Sequence, residues 1–295
     1  MRSVGGHFVE TLQRSASSTR CGRVSRVKHR ELEEDRLHWA MAEETYQSVA
    51  AEMNLSETAF VQTLSERDTL STASRFSLRW FTPTQEVPLC GHATLATAAV
   101  LYSETANPNV HLTFETLSGE LYARKKGENI VLDFPLNPPV PQGADEVKDL
   151  LKAAVGDLEV REVQYSSSTR KLLVCLSDSY TRQNLESLRV DAASLLAADS
   201  GVHVRGVIVT LRGDGRPYNF YSRYFAPWVG INEDPVTGSA HTVLAPYWSG
   251  RLGMMHLQGR QCSPRGGDVD VTIREDGRVD LAGHACIVTC GTLHF

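Results

Sequence analysis

Two short stretches of this chain combine a glycine at a helix start with side chains able to handle protons. In the first, Pro88-Leu89-Cys90-Gly91-His92-Ala93 opens an apolar run through Leu101; in the second, Asp234-Pro235-Val236-Thr237-Gly238-Ser239-Ala240 opens another through Trp248. The first backbone N–H groups of a helix lack intrahelical acceptors and the dipole there is positive, so such an end can hold a carboxylate or another oxyanion. Gly91 and Gly238 would let a small anionic substrate come close to the backbone, although both also read as ordinary turn glycines before helices. The polar neighbours differ: His92 in the first stretch, Asp234 with Ser239 in the second. Different chemistry can therefore stand on similar frames. Taken singly, His92 could equally be structural, and Asp234 before a proline could be a turn or cap residue.

The elements that would position these residues occur twice. Arg79-Trp80-Phe81-Thr82-Pro83 is echoed by Arg223-Tyr224-Phe225-Ala226-Pro227 at an offset of 144 residues, and the two helix starts follow at an offset of 147. Fainter matches continue in the same order, Gly119-Glu120-Leu121 with Gly267-Asp268-Val269 and Val131 with Val279. An ordered set of matches at nearly constant offset indicates an internal repeat. Phe76, Leu78 and Trp80 alternate with polar neighbours as a half-buried strand should, and Phe220–Phe225 is the counterpart. Ala93–Tyr102 and Ala240–Trp248 are apolar on nearly all sides, which suits a helix buried within a lobe. Further strand candidates are Leu112–Thr116, Leu121–Arg124, Ile130–Phe134, Lys171–Leu176 and Val207–Leu211. The fold class expected is α/β (α+β), with two pseudo-symmetric lobes, each a mixed sheet wrapped around a central helix.

Composition narrows the possibilities. The 295 residues are 41% hydrophobic and 22% charged with a formal net charge of −5, an ordinary globular balance that disfavours a general nucleic-acid binder. No apolar stretch approaches the roughly 20 residues of a membrane-spanning helix. Six dispersed cysteines, with no Cys-x-x-Cys pair and no His-Glu-x-x-His, predict reduced thiols, no metal and no cofactor. The first 30 residues carry six Arg, one Lys and only Glu10 as an acid, a composition that fits either a disordered leader or a transit peptide. A cytoplasmic protein is expected, with mitochondrial import as the alternative, and a homodimer is expected on general grounds. The domain limits expected are a poorly ordered segment over 1–42, an N-terminal lobe over 43–137 and a C-terminal lobe over 138–295 whose last strand could return to the first. The prolines of Asn137-Pro138-Pro139-Val140-Pro141 mark the linker.

Three strings, Asn54-Leu55-Ser56-Glu57-Thr58-Ala59-Phe60, Glu86-Val87-Pro88-Leu89-Cys90-Gly91-His92-Ala93-Thr94 and Glu233-Asp234-Pro235-Val236-Thr237-Gly238-Ser239-Ala240, resemble the signature segments of PhzF-like proteins. The likeness covers roughly residues 47–295 and is nearest to the animal phenazine biosynthesis-like domain proteins. It implies the diaminopimelate-epimerase fold, with an active site in a cleft between two lobes. It implies Glu57 as the catalytic carboxylate, His92 and Asp234 as assisting residues, and Gly91 and Ser239 as substrate-holding groups, to which the helix-start reading adds Gly238. A two-thiol epimerase mechanism is closed to this chain, because Thr237 stands at the second helix start. A carboxylate that takes and returns a proton would be served by a pKa raised toward neutrality, which burial near Ala59 and Phe60 could supply. Before residue 47 the family's first strand and its Gly-Asn-Pro loop are not recognisable, which predicts an uncovered sheet edge.

The function expected is a cofactor-independent isomerase moving a proton within a small carboxylated metabolite. The alternative is a weakly active or inactive ligand-binding or regulatory protein on the same fold. A hydrolase built on Ser239, His241 and Asp234 is disfavoured, since residues two apart on a helix do not share a face and no Gly-x-Ser-x-Gly elbow is present.

Overall fold

The computed structural model describes residues 7–9, 25–27, 42–215, 217–287 and 289–291 of a mixed α/β protein. The chain divides into two compact units, Met1–Asp133 with Ala282–Phe295, and Phe134–Leu281.

The first unit begins with β1 (His7–Val9), β2 (Ser25–Val27) and α1 (Glu43–Met53). Helix α1 buries Tyr46, Val49 and Ala50 and ends at Asn54, whose left-handed backbone (φ 50°) directs its N–H to Ala50 O; Asn tolerates that conformation better than most residues. The turn delivers Ser56 and Glu57 to β3 (Thr58–Thr63), which pairs antiparallel with β4 (Arg75–Phe81). Tyr46, Phe60 and Phe81 lock α1 onto this pair, with ring centroids 4.8 to 5.6 Å apart. The chain continues through β5 (Glu86–Val87) into α2 (Gly91–Ser103), then β6 (His111–Thr116), β7 (Gly119–Lys126) and β8 (Asn129–Pro135). β6 returns parallel to β4. Ala93 to Ala98, Val100 and Leu101 of α2 are buried, as an all-round apolar helix requires.

The second unit holds β9 (Val140–Pro141), α3 (Lys148–Val155), β10 (Val160–Ser166), β11 (Lys171–Leu176), α4 (Arg182–Ser187) and α5 (Ala192–Ala198). β12 (Gly206–Arg212), β13 (Phe220–Phe225), α6 (Gly238–Leu252), β14 (His256–Gln261), β15 (Gly267–Ile273) and β16 (Arg278–Gly283) follow. Leu172, Val174 and Leu176 of β11 and Val207, Val209 and Leu211 of β12 share a core with Leu150 and Val155 of α3, Leu185 of α4 and Leu195 of α5. On alternate positions, Thr210 accepts a hydrogen bond from the Trp248 indole of α6, and Phe220 stacks on the same ring. Both faces of these strands are thus covered, which explains their unbroken apolar runs. Pro246 inside α6 cannot donate to Thr242 O, and the Asn137 N–H takes its place at 3.1 Å. The chain then supplies β17 (Thr289–Gly291), parallel to β2 in the first unit.

Each unit sends an antiparallel pair through a loop into an apolar helix, and the following strand returns parallel, β6 on β4 and β14 on β13. An arginine on the strand before it clamps that loop in each unit. Arg79 on β4 makes a bidentate pair with Glu86 (2.7 and 2.8 Å), and Arg223 on β13 makes one with Glu233 (2.7 and 2.8 Å). Each guanidinium also lies 5.0 Å from a ring two residues on, Phe81 or Phe225. The surroundings differ: Arg79 is shared with Glu43 of α1, whereas Arg223, 6% exposed, gives its third nitrogen to Leu185 O and Leu188 O.

Three expectations are corrected. The division falls at Asp133/Phe134 instead of the proline cluster, because Val140 and Pro141 pair with β10 as an edge strand, where a proline costs no ladder bond. Segment 1–42 is not wholly without structure: β1 pairs antiparallel with β3 and occupies the edge expected to be uncovered, while residues 1–6, 10–24 and 28–41 lie outside those described. An open row of backbone donors and acceptors recruits extended chain in this way. Finally, Cys90, Cys175 and Cys262 form no disulfide, but Cys286 is disulfide-bonded.

The two clamps should differ in worth. Glu233→Gln leaves a buried guanidinium without its counter-charge and should lower the unfolding free energy by about 3 kcal/mol. Glu86→Gln, where both partners are about a quarter exposed, should cost about 1 kcal/mol. Urea unfolding of both variants measures this, and an equal or larger loss in Glu86→Gln contradicts the comparison.

Candidate functional site

In the first unit the turn after α1 and the start of α2 bring three chemically active side chains together. Glu57, the residue before β3, is 5% exposed, and its Oε2 lies 3.1 Å from Nε2 of His92, the second residue of α2. Cys90, the extended residue before α2, places its sulfur 3.7 and 3.8 Å from the two ring nitrogens of His92. Gly91 opens the helix. The Cys90 side chain accepts no hydrogen bond from the helix start, so its N–H groups receive no side-chain cap.

Burial pushes the Glu57 carboxyl up, but the charge of His92 and hydrogen bonds from His92, Ser56 and Cys90 win, and it is held below its ordinary value. The expectation of a carboxyl raised toward neutrality is therefore overturned for the resting protein. Burial near Ala59 and Phe60 is legible in the local sequence, whereas the imidazole arrives from another element.

In the second unit Asp234 is 5% exposed in the loop before α6. Its Oδ2 accepts from Thr237 Oγ1 at 2.5 Å, and its backbone O accepts from Gln261 Nε2 at 2.7 Å. Gln261, fully buried at the end of β14, accepts from the Thr237 N–H at 2.8 Å, so one amide fixes both ends of the Asp234–Thr237 turn. Gly238 and Ser239 are the first two residues of α6, which again has no side-chain cap. His241 is fully buried with Nδ1 2.7 Å from Thr237 O, and burial lowers its pKa to about 4. It is a structural imidazole in this turn. Beneath the loop lies Lys171, 7% exposed at the start of β11, over the Tyr224 ring at 5.6 Å. Gly206 makes room for that ring, since a Cβ there would lie 2.2 Å from Tyr224 Oη. Burial lowers Lys171 to about 8, and the charge of Asp234 opposes the shift.

Glu57, Gly91 and His92 are thus gathered in the first unit, and Asp234, Gly238 and Ser239 in the second. Cys90, Thr237, Gln261 and Lys171 were missed as participants. Cys90 and Thr237 stand inside quoted motifs, but Gln261 and Lys171 come from distant strands with no local signal.

A family model described as Phenazine biosynthesis-like protein, PhzC-PhzF, matches residues 32–291. The chain belongs to the PhzC-PhzF family. It is 56% identical over 257 residues to a phenazine biosynthesis-like domain-containing protein of Rattus norvegicus, covering 86% of this chain and 89% of that one. It is 42% identical over 258 residues to an uncharacterized isomerase of Pseudomonas aeruginosa, covering 88% and 90%. A crystal structure of a PhzF-family phenazine biosynthesis protein from Enterococcus faecalis matches with a TM-score of 0.74 at 35% identity, covering 95% and 96%.

Lys171 gives a pH-dependent signature. Its folded pKa of about 8 lies below its unfolded value, so between about pH 8 and 10.5 the unfolded chain binds more protons and stability rises with pH. The penalty for burying the charge is complete below pH 8. Relative to Lys171→Met, the wild type should gain stability from pH 7.5 to pH 10, as measured by urea unfolding at both values. A constant difference between the two proteins contradicts the assignment.

Proposed function

We propose that this protein is a cofactor-independent isomerase that moves a proton within a small carboxylated metabolite, with Glu57 carrying the proton. The observation that carries this reading is the nearly fully buried Glu57 carboxylate 3.1 Å from His92 at an uncapped helix start. A relative 42% identical to this chain and named an isomerase supports the reaction class.

Glu57, held ionised by His92, begins as the base and takes a proton from a substrate carbon. The carboxylic acid so formed is neutral, the state that burial favours, and it returns the proton to a different carbon. His92 stabilises the charged form at rest and can give or take a hydrogen bond as the substrate changes charge. The helix-start N–H groups suit a substrate carboxylate. Asp234, with Gly91 and Ser239, enters on the motif resemblance as an assisting residue and substrate-holding groups, and Gly238 enters as the glycine that opens the second helix. Because the same carboxyl takes and gives the proton, the step balances without an oxidant or reductant.

Glu57→Gln keeps shape and removes the titrating group. Turnover should fall by roughly 100-fold or more while ligand binding persists. Solvent-deuterium incorporation into a turned-over metabolite, compared between wild type and Glu57→Gln, measures this. Equal incorporation by the two proteins sinks the assignment to Glu57. Binding by wild type with no incorporation at all supports the alternative of a ligand-binding protein.

A further inference from the structure

The Cys90 thiol carries no proton in the transfer proposed above, yet it lies against both Glu57 and His92. Among the described residues, Glu57, Cys90 and His92 form a trio whose candidate ligand atoms all lie within 4.8 Å of one another. Such a trio has the composition of a metal site: one thiolate, one imidazole and one carboxylate.

We infer that Glu57, Cys90 and His92 form a three-donor site for a borderline divalent cation of the zinc type, which on binding withdraws the reacting carboxylate from use. With bonds of about 2.0 to 2.3 Å to nitrogen, oxygen and sulfur, a tetrahedral ion spaces its donors by roughly 3.3 to 3.6 Å. The separations here are 3.1 Å between Oε2 and Nε2 and 3.7 to 3.8 Å between sulfur and the ring nitrogens. The sulfur is nearly equidistant from both nitrogens, so the ring must turn to present a lone pair to the ion, a side-chain rotation with no backbone change. Three protein donors leave a fourth position for water or substrate, as in open zinc sites. The thiolate selects zinc-like ions over magnesium or calcium, which take oxygen donors. The charges also balance: the thiol releases its proton to solvent, and thiolate plus carboxylate neutralise a dication in a buried place. Glu57 and Cys90 are each 5% exposed, so their donors are shielded from competing water.

The inhibitory consequence rests on the proton-transfer reading, but binding does not, so the test reads binding without substrate. Co²⁺ alone is titrated into the full-chain protein. The expected result is a near-ultraviolet thiolate-to-cobalt charge-transfer band with tetrahedral visible bands, saturating at one ion per chain and abolished by Zn²⁺. Cys90→Ser should remove the charge-transfer band, and His92→Asn should weaken Co²⁺ binding by roughly tenfold or more while keeping a thiolate band. Cys175→Ser and Cys262→Ser should retain the full spectrum. No saturable band in wild type overturns the inference, as does a band that survives Cys90→Ser. Should Cys90→Ser fail to fold, His92→Asn decides alone, and unchanged affinity there is equally fatal. Inhibition of turnover by Zn²⁺ is read separately. A bound cation without inhibition would leave the site standing and count against Glu57 as the proton carrier.

Discussion

Burying a carboxylate is unfavourable unless nearby charge and hydrogen bonds replace water, and in this protein that requirement falls on Glu57. His92, Ser56 and Cys90 meet it together, which is why the turn after α1, which carries Ser56 and Glu57, and the start of α2, which carries Cys90 and His92, must converge. Much of the first unit can be understood as the support for that meeting. The Tyr46–Phe60–Phe81 cluster fixes α1 to the strands, the left-handed Asn54 turns the chain toward Glu57, and the Arg79–Glu86 clamp leads the loop to Cys90. The same balance leaves the carboxyl ionised at rest, while its burial favours the neutral acid it would become on taking a proton. Those are the two states that proton transfer needs.

The second unit uses a similar clamp for a different local chemistry. Arg223–Glu233 is more deeply buried than its counterpart and is completed by two backbone carbonyls instead of a second acid. Where the first unit places Cys90 before its helix, the second places Thr237, whose hydroxyl is spent on Asp234. Lys171 and Gln261 then set the charge and position of that loop from below. The asymmetry noticed between His92 and Asp234 thus extends to the residues around them.

The legible parts of this architecture were those written in short sequence windows. The strands around Phe76–Trp80 and Phe220–Phe225 and the apolar helices were readable from periodicity, and both helices begin only two residues before the limits expected, at Gly91 and Gly238. Both clamping arginines stood in the repeated block, and both partner glutamates stood in the quoted motifs. Pairing them required knowing that the loop folds back. Long-range partners such as Lys171, at the start of an apolar strand, and Gln261, at the end of a polar one, left no periodic trace, because the burial of a polar residue at a strand end is decided by what lies across from it. The direction of the Glu57 shift was misjudged for a related reason: burial can be guessed from neighbours in sequence, whereas a charge brought in from another element cannot.

The Glu57 carboxylate stays charged because His92, aided by Ser56 and Cys90, outweighs burial. Carboxyl carbon NMR of protein labelled at the glutamate side chains, with the Glu57 signal assigned from Glu57→Gln, follows that titration directly in wild type and in His92→Asn. The Glu57 midpoint should lie below the ordinary 4.5 in wild type and move above it once the imidazole is gone and burial dominates. A wild-type midpoint above 4.5, or one that does not rise in His92→Asn, would contradict it.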